Sequence, residues 1–538
     1  MKILYNNVIK EIKTSSKGIF IFLAVFYCLY AEIYIYQSSF IIDGTRYYSL
    51  FDDAMISMRY AKNFAEGYGP LWNLGSEPIE GYTNPLWTIF MTIPHLLGIP
   101  LSKTSLFIQA FSAFFLLFHL FFVRKISDLL SGGSNAVMAF SVGLNILYQP
   151  ILTWSLLGME ICVLLPLISA ALWLTLKHYL EEDSSSWHLL WLGIATMIRL
   201  DMVLIFAAFS AFCIITSRNR FETLMTITII LFISIVPLSI LRLIYYGDIL
   251  PNTYYLKMTG IPFIYRFSRG LISVIKFIVY MNPGIFLIPI VYAFFKREKT
   301  LIFIVLVFLL QLLYSAYTGG DAWEFRGGAN RFTVVVLPGF FILISLTFTL
   351  AVQSFFKDLN ISAKRLAFYR NFAYLATFLL LITSLNTLKS REDLAAMLLI
   401  GKPFTMEFNK KQFETGLLMK KYLNNDATFA TPTAGGSPYI SELRAIDLLG
   451  KNDKYIASLD VKLPEGKSKY YAFNPGHNKW DYNYSIGRFK PDAITSLWLH
   501  PEDARPLLDE FYVKKEIDGY EFYFRKDSKN VRWELLDK

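Results

Sequence analysis

The sequence predicts a polytopic α-helical membrane protein of about eleven transmembrane helices, followed by a soluble α/β domain. Three observations lead there. Apolar runs long enough to cross a bilayer recur from residue 18 to residue 388. Hydrophobic residues make up 54% of the chain and charged ones only 17%, too few to cover the surface of a soluble protein of 538 residues. The composition then changes abruptly at 389–538, where charge rises and no spanning run remains.

The first run, 18–36, follows Lys2, Lys10, Lys13 and Lys17 and lacks a small-residue cleavage site. It reads as a first transmembrane helix with a cytoplasmic N-terminus rather than a cleaved signal peptide. Further runs lie at 104–123, 135–152, 160–178, 222–246, 270–295, 300–317, 332–354 and 371–388. Residues 188–216 could be one long helix or two short ones. The segment "PLWTIFMTIPHLLG", 85–98, is shorter than the roughly 20 residues a crossing helix needs. Positive charge decides both points. The basic loops with Arg124/Lys125, Arg218/Arg220, Lys296/Arg297/Lys299 and Lys357/Lys364/Arg365 are all cytoplasmic only if 85–98 does not cross and 188–216 crosses twice. The break then falls near Arg199-Leu200-Asp201, a charged pair acceptable in a membrane where it lines a polar cavity.

This topology divides the chain into a membrane part, 1–388, and an outer domain, 389–538. The unusual polar connectors all fall outside: 37–103, 153–160, 199–201, 247–269 and 318–331. The net charge of +10 sits largely in short loops, where it reports topology rather than a nucleic-acid partner. Cys28, Cys162 and Cys213 lie inside apolar runs as packing residues, and the six histidines show no metal-ligand spacing.

The outer connectors carry the chemistry. "FDDAMISMRYAKNFAEGYGPLWN", 51–73, reads as a surface helix from Asp52 to Glu66 ended by Gly67 and Gly69. Asp52, Arg59, Tyr60, Asn63 and Glu66 share one side, with Ala54, Met58, Ala61 and Ala65 opposite. The helix dipole accounts for one carboxylate at this start. A second one, followed by a run of turn formers and aromatics that includes Tyr82, points to catalysis at Asp52 or Asp53. Glu160 opens a span at the outer face, as a helix-start residue or a site residue. Arg199 and Asp201 read most simply as a mutually paired couple. "YYGDILPNTYYLKM" supplies Asn252, Tyr255 and Lys257, suited to an interfacial belt or to a sugar and a phosphate. "GGDAWEFRGGANRF" offers Asp321, Arg326 and Arg331 on a glycine-rich loop, and arginine matches phosphate geometry. In the outer domain, "NPGHNKWDYNYSIGRFKPDAI" gathers His477, Lys479 and Trp480 in a loop that either binds carbohydrate or simply packs.

"DDAMISMRYAKNFAEGYGPLWNLGSEPIEGYTNPLW" resembles the first outer loop of GT-C glycosyltransferases related to AftB-type bacterial arabinofuranosyltransferases. "LLGMEI", "IRLDM", "YYGDILPNTYYLK", "GGD…RF" and "IDLLGKND…IA…PGHNK" follow in the family's order, so the resemblance covers nearly the whole chain. Leu200 stands where the family usually has proline. The resemblance implies a GT-C-like fold in a bacterial inner membrane and a polyprenyl-phosphate-sugar donor, decaprenyl-phosphoryl arabinose in the arabinofuranosyl members. It implies transfer with inversion at the anomeric carbon to a hydroxyl of an envelope glycan, glycolipid or surface protein. Asp52 matches the family's general base, with Asp53 in support. Arg59, Lys257, Arg326 and Arg331 become candidates for the leaving phosphate. Tyr82, Glu160, Arg199, Asp201, Asn252, Tyr255 and Asp321 join the donor site, and His477, Lys479 and Trp480 the acceptor site. A divalent cation is left open.

The Lys/Phe/Ile-rich composition differs from that of the high-GC bacteria that make arabinan, which favours another acceptor. The rival reading is a transporter or flippase of a lipid-linked sugar, which would more naturally show internal repeats. A scaffold merely anchored by its spans is a third.

Overall fold

The computed structural model describes residues 15–536 apart from 183–184, 325–328, 360, 388–390, 404, 464–465 and 467. Arg326 lies outside the described residues. Among the described residues, seven helices are long and apolar enough to cross a membrane: Lys17–Gln37, Leu101–Ser131, Ile161–Glu181, Arg220–Tyr246, Lys299–Thr318, Leu337–Phe356 and Ala363–Asn386. The chain is a multi-pass membrane protein.

Two runs expected as single straight spans are broken. Asn135–Leu147 and Gln149–Leu156 meet at 54°, and Phe263–Met281 and Pro283–Lys296 at 94°. In the second pair Asn282 adopts a φ of 74°, and Pro283, with no N–H to give, can only begin a new helix. The Asn282 side chain accepts from the Gly284 N–H at 3.0 Å and caps that new start. The stretch around 188–216 forms two shorter apolar helices with a break at the expected place, although Leu200 replaces proline. The break comes from Arg199, whose extended backbone (φ −143°, ψ 124°) takes it out of the helix. Residues 85–98 form two short helices, Pro85–Phe90 and Ile93–Leu96, and no spanning one.

A hairpin of β1 (Phe40–Ile42) and β2 (Thr45–Tyr47) follows the first span. The C-terminal domain holds β3 (Thr428–Thr431), β4 (Arg444–Asp447), β5 (Ala493–Ile494), β6 (Tyr512–Ile517) and β7 (Tyr520–Arg525) in the order β4-β3-β5-β7-β6. β4, β3 and β5 run parallel, and β7 and β6 complete the sheet antiparallel. Alternation along the strands divides the core. Phe429 and Ala493 pack with Ile56, Tyr60 and Trp72 of the first outer loop, whereas Ala430 and Ile494 pack with Trp480 and Tyr482 on the other face.

The Asp52–Ala65 helix is therefore not a surface helix. Both of its faces are covered, with Ala54, Met58 and Ala61 buried on one side and Arg59, Tyr60 and Asn63 on the other. Arg59 makes the joint. It donates from Nε to the Trp72 carbonyl at 2.5 Å, from Nη2 to Leu443 O at 2.8 Å and Asn73 Oδ1 at 2.9 Å, and from Nη1 to Pro438 O. Asn73 then pairs with the backbone of Ala445 in β4, donating at 2.7 Å and accepting at 3.1 Å. Glu80 and Arg242, each 3% exposed, form a second joint through Nε–Oε2 at 2.8 Å and Nη2–Oε1 at 2.9 Å. This contact binds the first loop to the end of the Arg220–Tyr246 helix.

Because the Arg59 and Asn73 contacts lock the first loop to the C-terminal domain, the two must share a compartment. Cysteines introduced at exposed Tyr68 and Lys529, in a chain with Cys28, Cys162 and Cys213 replaced, are expected to react with an impermeant maleimide from the same side of sealed vesicles. Reaction from opposite sides would refute the docking.

Candidate active site

Four segments far apart in the sequence converge on Asp52 and Asp53. The first is the start of the Asp52–Ala65 helix. The second comprises residues 319–324 and the turn at 330–334. Gly319 and Gly320 take φ of 85° and 77°, and a Cβ on Gly320 would lie 2.2 Å from Arg269 Nη1. Glycine is needed here to present Asp321. A capping box then fixes Arg331: Asn330 Oδ1 accepts from Phe332 N at 3.1 Å and Thr333 N at 3.2 Å, and Thr333 Oγ1 accepts from Asn330 N at 3.2 Å. Arg331 grips Asp321 with Nε–Oδ2 at 2.7 Å and Nη2–Oδ1 at 2.9 Å, and reaches Asp53 Oδ2 with Nη1 at 2.9 Å.

The third segment is the short Asn252–Met258 helix, which carries Lys257. Its ammonium sits among Asp321, Arg331, Asp53 and Lys451, and burial pushes it down to about 8. Among the described residues it has no hydrogen-bond or ion-pair partner. The fourth segment comes from the C-terminal domain. Lys451, in the turn after β4, pairs with Asp53 Oδ1, and the Gly436 N–H donates to Asp52 Oδ1 at 3.0 Å. Gly435 approaches so closely that a Cβ there would lie 2.1 Å from the Asp52 carbonyl oxygen.

The two adjacent carboxylates thus differ sharply. Burial raises Asp53, but Lys451, Arg331 and Lys257 together outweigh it and hold the group well below the usual carboxylate range. Asp52 has the Gly436 N–H on one oxygen, and its Oδ2 accepts no hydrogen bond among the described residues. Burial dominates and pushes it up to about 6. Aromatic rings wall the centre: Phe51 meets Trp154 at 4.9 Å and Trp323 at 5.2 Å, and Trp323 meets His477 at 6.4 Å. The imidazole of His477 is lowered to about 4 by burial and then by Lys451, so it is neutral at pH 7.

A second ionic cluster lies alongside. Arg199 pairs with Asp201 through Nε–Oδ1 at 2.9 Å and Nη2–Oδ2 at 2.7 Å, as expected, and also with Glu160 Oε1 at 2.9 Å. Asn84 donates to Glu160 Oε2 at 2.9 Å and so ties the cluster to the first loop. Phe332, next to Arg331, lies under the Arg199 guanidinium at 5.3 Å.

Several expected site residues do other work. Arg59 is spent in the joint described above. Tyr82 hydrogen-bonds Tyr246 OH at 2.8 Å, and Tyr255 donates to Asp248 at 2.8 Å. Asn252 donates to the carbonyls of Gly450, Lys451 and Asp453. Lys479 is spent on the carbonyls of Ala457 at 2.6 Å and Tyr255 at 3.1 Å, and Trp480, 1% exposed, is core. These two do not face an acceptor, because packing of the 477–482 loop turns them inward. Lys451, Asn84 and the Gly436 N–H were missed. Lys451 stands in the "IDLLGKND" run, but nothing local links it to Asp53. For a divalent cation the residues do not fit: among the described residues no three His, Cys, Asp or Glu side chains converge as metal ligands, and Asp53 and Asp321 are held by cations of the protein.

The fold matches two structures of ArnT from Cupriavidus metallidurans. The one bound to undecaprenyl phosphate gives a TM-score of 0.57 at 10% identity, over 95% of this chain and 98% of that one. The apo state gives 0.56 at 11% identity over the same shares. The archaeal oligosaccharyltransferase AglB from Archaeoglobus fulgidus, in complex with an inhibitory peptide and a dolichol-phosphate, gives 0.52 at 10% identity, over 97% of this chain and 75% of that one. The chain has the GT-C fold. Residues 405–523 match a family described as a domain of unknown function (DUF8728). Sequence comparison with curated proteins finds no match.

Two outcomes test the electrostatics. Asp52 titrates higher in the folded chain than when unfolded, so its ionisation costs stability as pH rises from about 4 to about 6 and beyond. Asp52→Asn should therefore melt above the wild type at pH 8 and level with it near pH 4. Arg331→Met leaves buried Asp321 without its paired cation and Asp53 with Lys451 alone, and should lose about 3–5 kcal/mol. Adding Asp321→Asn should recover part of that loss in denaturant melts.

Proposed function

We propose that the chain is a GT-C glycosyltransferase, moving a sugar from a polyprenyl-phosphate carrier to an acceptor hydroxyl at the outer face of a bacterial inner membrane. The observation that carries this reading is the pair of neighbouring carboxylates with opposed environments. One is locked as an anion by two cations, and the other is desolvated, half free and able to exchange a proton near neutral pH. Such a split is how an acid/base role is assigned to one of two carboxylates. ArnT bound to undecaprenyl phosphate and AglB in complex with a dolichol-phosphate support a lipid phosphate as the sugar's carrier.

In the reaction, the acceptor hydroxyl hydrogen-bonds to Asp52 Oδ2 and gives up its proton as its oxygen attacks the anomeric carbon. The bond from that carbon to the phosphate oxygen breaks, and the electron pair leaves with the polyprenyl phosphate. Lys257, the cation without a partner among the described residues, meets the charge that develops there. Arg331 is already shared by Asp53 and Asp321, so it orders the carboxylates more than it binds phosphate. A single in-line displacement inverts the anomeric configuration. The aromatic wall of Phe51, Trp154 and Trp323 limits water at the centre, which favours transfer over hydrolysis. Of the three expected acceptor residues, His477 keeps that role, since it alone faces this wall. The first loop's resemblance favours D-arabinofuranose as the sugar, and an envelope glycan, glycolipid or surface protein as acceptor.

The test uses purified protein with polyprenyl-phosphoryl arabinofuranose, other polyprenyl-phosphoryl sugars and a range of acceptors. Transfer should fall about tenfold per pH unit below pH 6, the acid limb belonging to Asp52. Asp52→Asn should lower transfer by about 10²–10⁴-fold while donor binding and folding persist. Full activity in that variant rejects the base.

A further inference from the structure

We infer that Lys451 is a positioning residue through which the C-terminal domain completes the Asp52–Asp53 pair, an assignment that rests on the transferase reading. Its ammonium lies on Asp53 Oδ1, with the side chain 12% exposed. A lysine on a mobile loop could not hold a carboxylate in one place, because its long flexible stem has many rotamers to lose. Here the backbone under it is gripped from three directions. Asp447, at the end of β4, accepts from Leu449 N at 3.0 Å, Gly450 N at 3.2 Å and Asn452 N at 2.9 Å, closing the turn from within its own domain. Asn252, on the helix that carries Lys257, donates to the carbonyls of Gly450 at 3.0 Å and Lys451 at 2.9 Å. Tyr60, on the helix that starts with the two aspartates, donates to Asn452 Oδ1 at 2.8 Å. The turn is thus tied to its own sheet and to two of the other three segments that meet at the centre, the Asn252–Met258 and Asp52–Ala65 helices.

The consequence is electrostatic. The charged groups acting on Asp52 are Lys451 and Asp447 from this turn and Asp53 from its own helix, with the Gly436 N–H beside them. Arg331 alone cannot neutralise Asp53, because the same guanidinium serves Asp321. Without Lys451 a poorly compensated carboxylate would adjoin Asp52, the two would compete for one proton, and Asp52 would no longer be a free base at neutral pH. Lys451 touches neither the acceptor nor the breaking bond; it acts through the aspartates.

The experiment reads protonation independently of turnover. Dicyclohexylcarbodiimide adds to protonated carboxyls, so its incorporation at Asp52, located by mass spectrometry across a pH series on the full chain in detergent, reports that group's midpoint. Lys451→Met should move the midpoint up by about 1–3 pH units, lower kcat for transfer from the polyprenyl-phosphoryl sugar and leave the donor KM within a few-fold. Lys451→Arg should restore both. Asn252→Ala, which loosens the turn but keeps the lysine, should give a smaller shift in the same direction, and serves if Lys451→Met does not fold. An unmoved midpoint in a folded Lys451→Met or Asn252→Ala chain overturns the inference, even with transfer intact. A shifted midpoint in a chain that transfers no lipid-linked sugar supports the placement of Lys451 and overturns the transferase reading instead.

Discussion

The centre depends on burying several carboxylates next to one another. An isolated ionised carboxyl taken out of water costs several kcal/mol even after relaxation, and Asp53 and Asp321 are both deep enough to incur that cost. Cations must therefore be delivered to fixed points, and no single segment of this chain can deliver them all. Arg331 comes from the turn before one span and Lys451 from a domain that begins after the last one. Each joint between the first loop and the C-terminal domain follows from that requirement. Arg59 is the clearest case, its guanidinium exhausted by main-chain carbonyls from both partners.

Much of the membrane part was legible in the sequence because its signals are local. Apolar run length locates the spans, and the reading that 85–98 does not cross, made from its length and from loop charge, agrees with the two short helices found there. The break at Arg199 was legible from the charged pair. The sharp bend at Asn282-Pro283 was legible too, since an Asn-Pro pair inside an apolar run signals a turn, but reading the run by hydropathy alone passed over it. The site divides in the same way. Asp52, Asp53, Asp321, Arg331 and Lys257 sit in connectors whose composition marks them. Lys451 lies 398 residues from the aspartate it pairs with, and a lysine in a soluble domain has no local feature to distinguish it. Lys479 and Trp480 failed for the opposite reason. An aromatic, basic loop looks the same in sequence whether it faces a ligand or packs inward, and only the sheet's second core reveals which.

The desolvation that suits Asp52 to the proposed role of base also makes it a burden on the fold. Its raised affinity for a proton is free energy withheld from stability at neutral pH, and apolar burial such as the packing of Tyr60, Trp72 and Phe429 must offset it. A stability optimum placed away from the functional optimum is expected where a group must be reactive.

The same joints bear on whether this centre works by chemistry or by transport. Alternating access requires one half of a protein to rock against the other around the ligand, so contacts across the moving boundary must be weak or exchangeable. Here the residues around Asp52 are cross-tied by buried charges: Asp53 to two distant segments, Glu160 to both Arg199 and Asn84, and Glu80 to Arg242. Breaking any one of these ion pairs without replacing its partner costs about 3–5 kcal/mol, and a rocking motion would break several at once. A cage so cross-tied, with one carboxylate oxygen and one ammonium left without partners among the described residues, is poorly suited to move a substrate through the membrane. It is well suited to hold two reactants still while a proton and a sugar change hands.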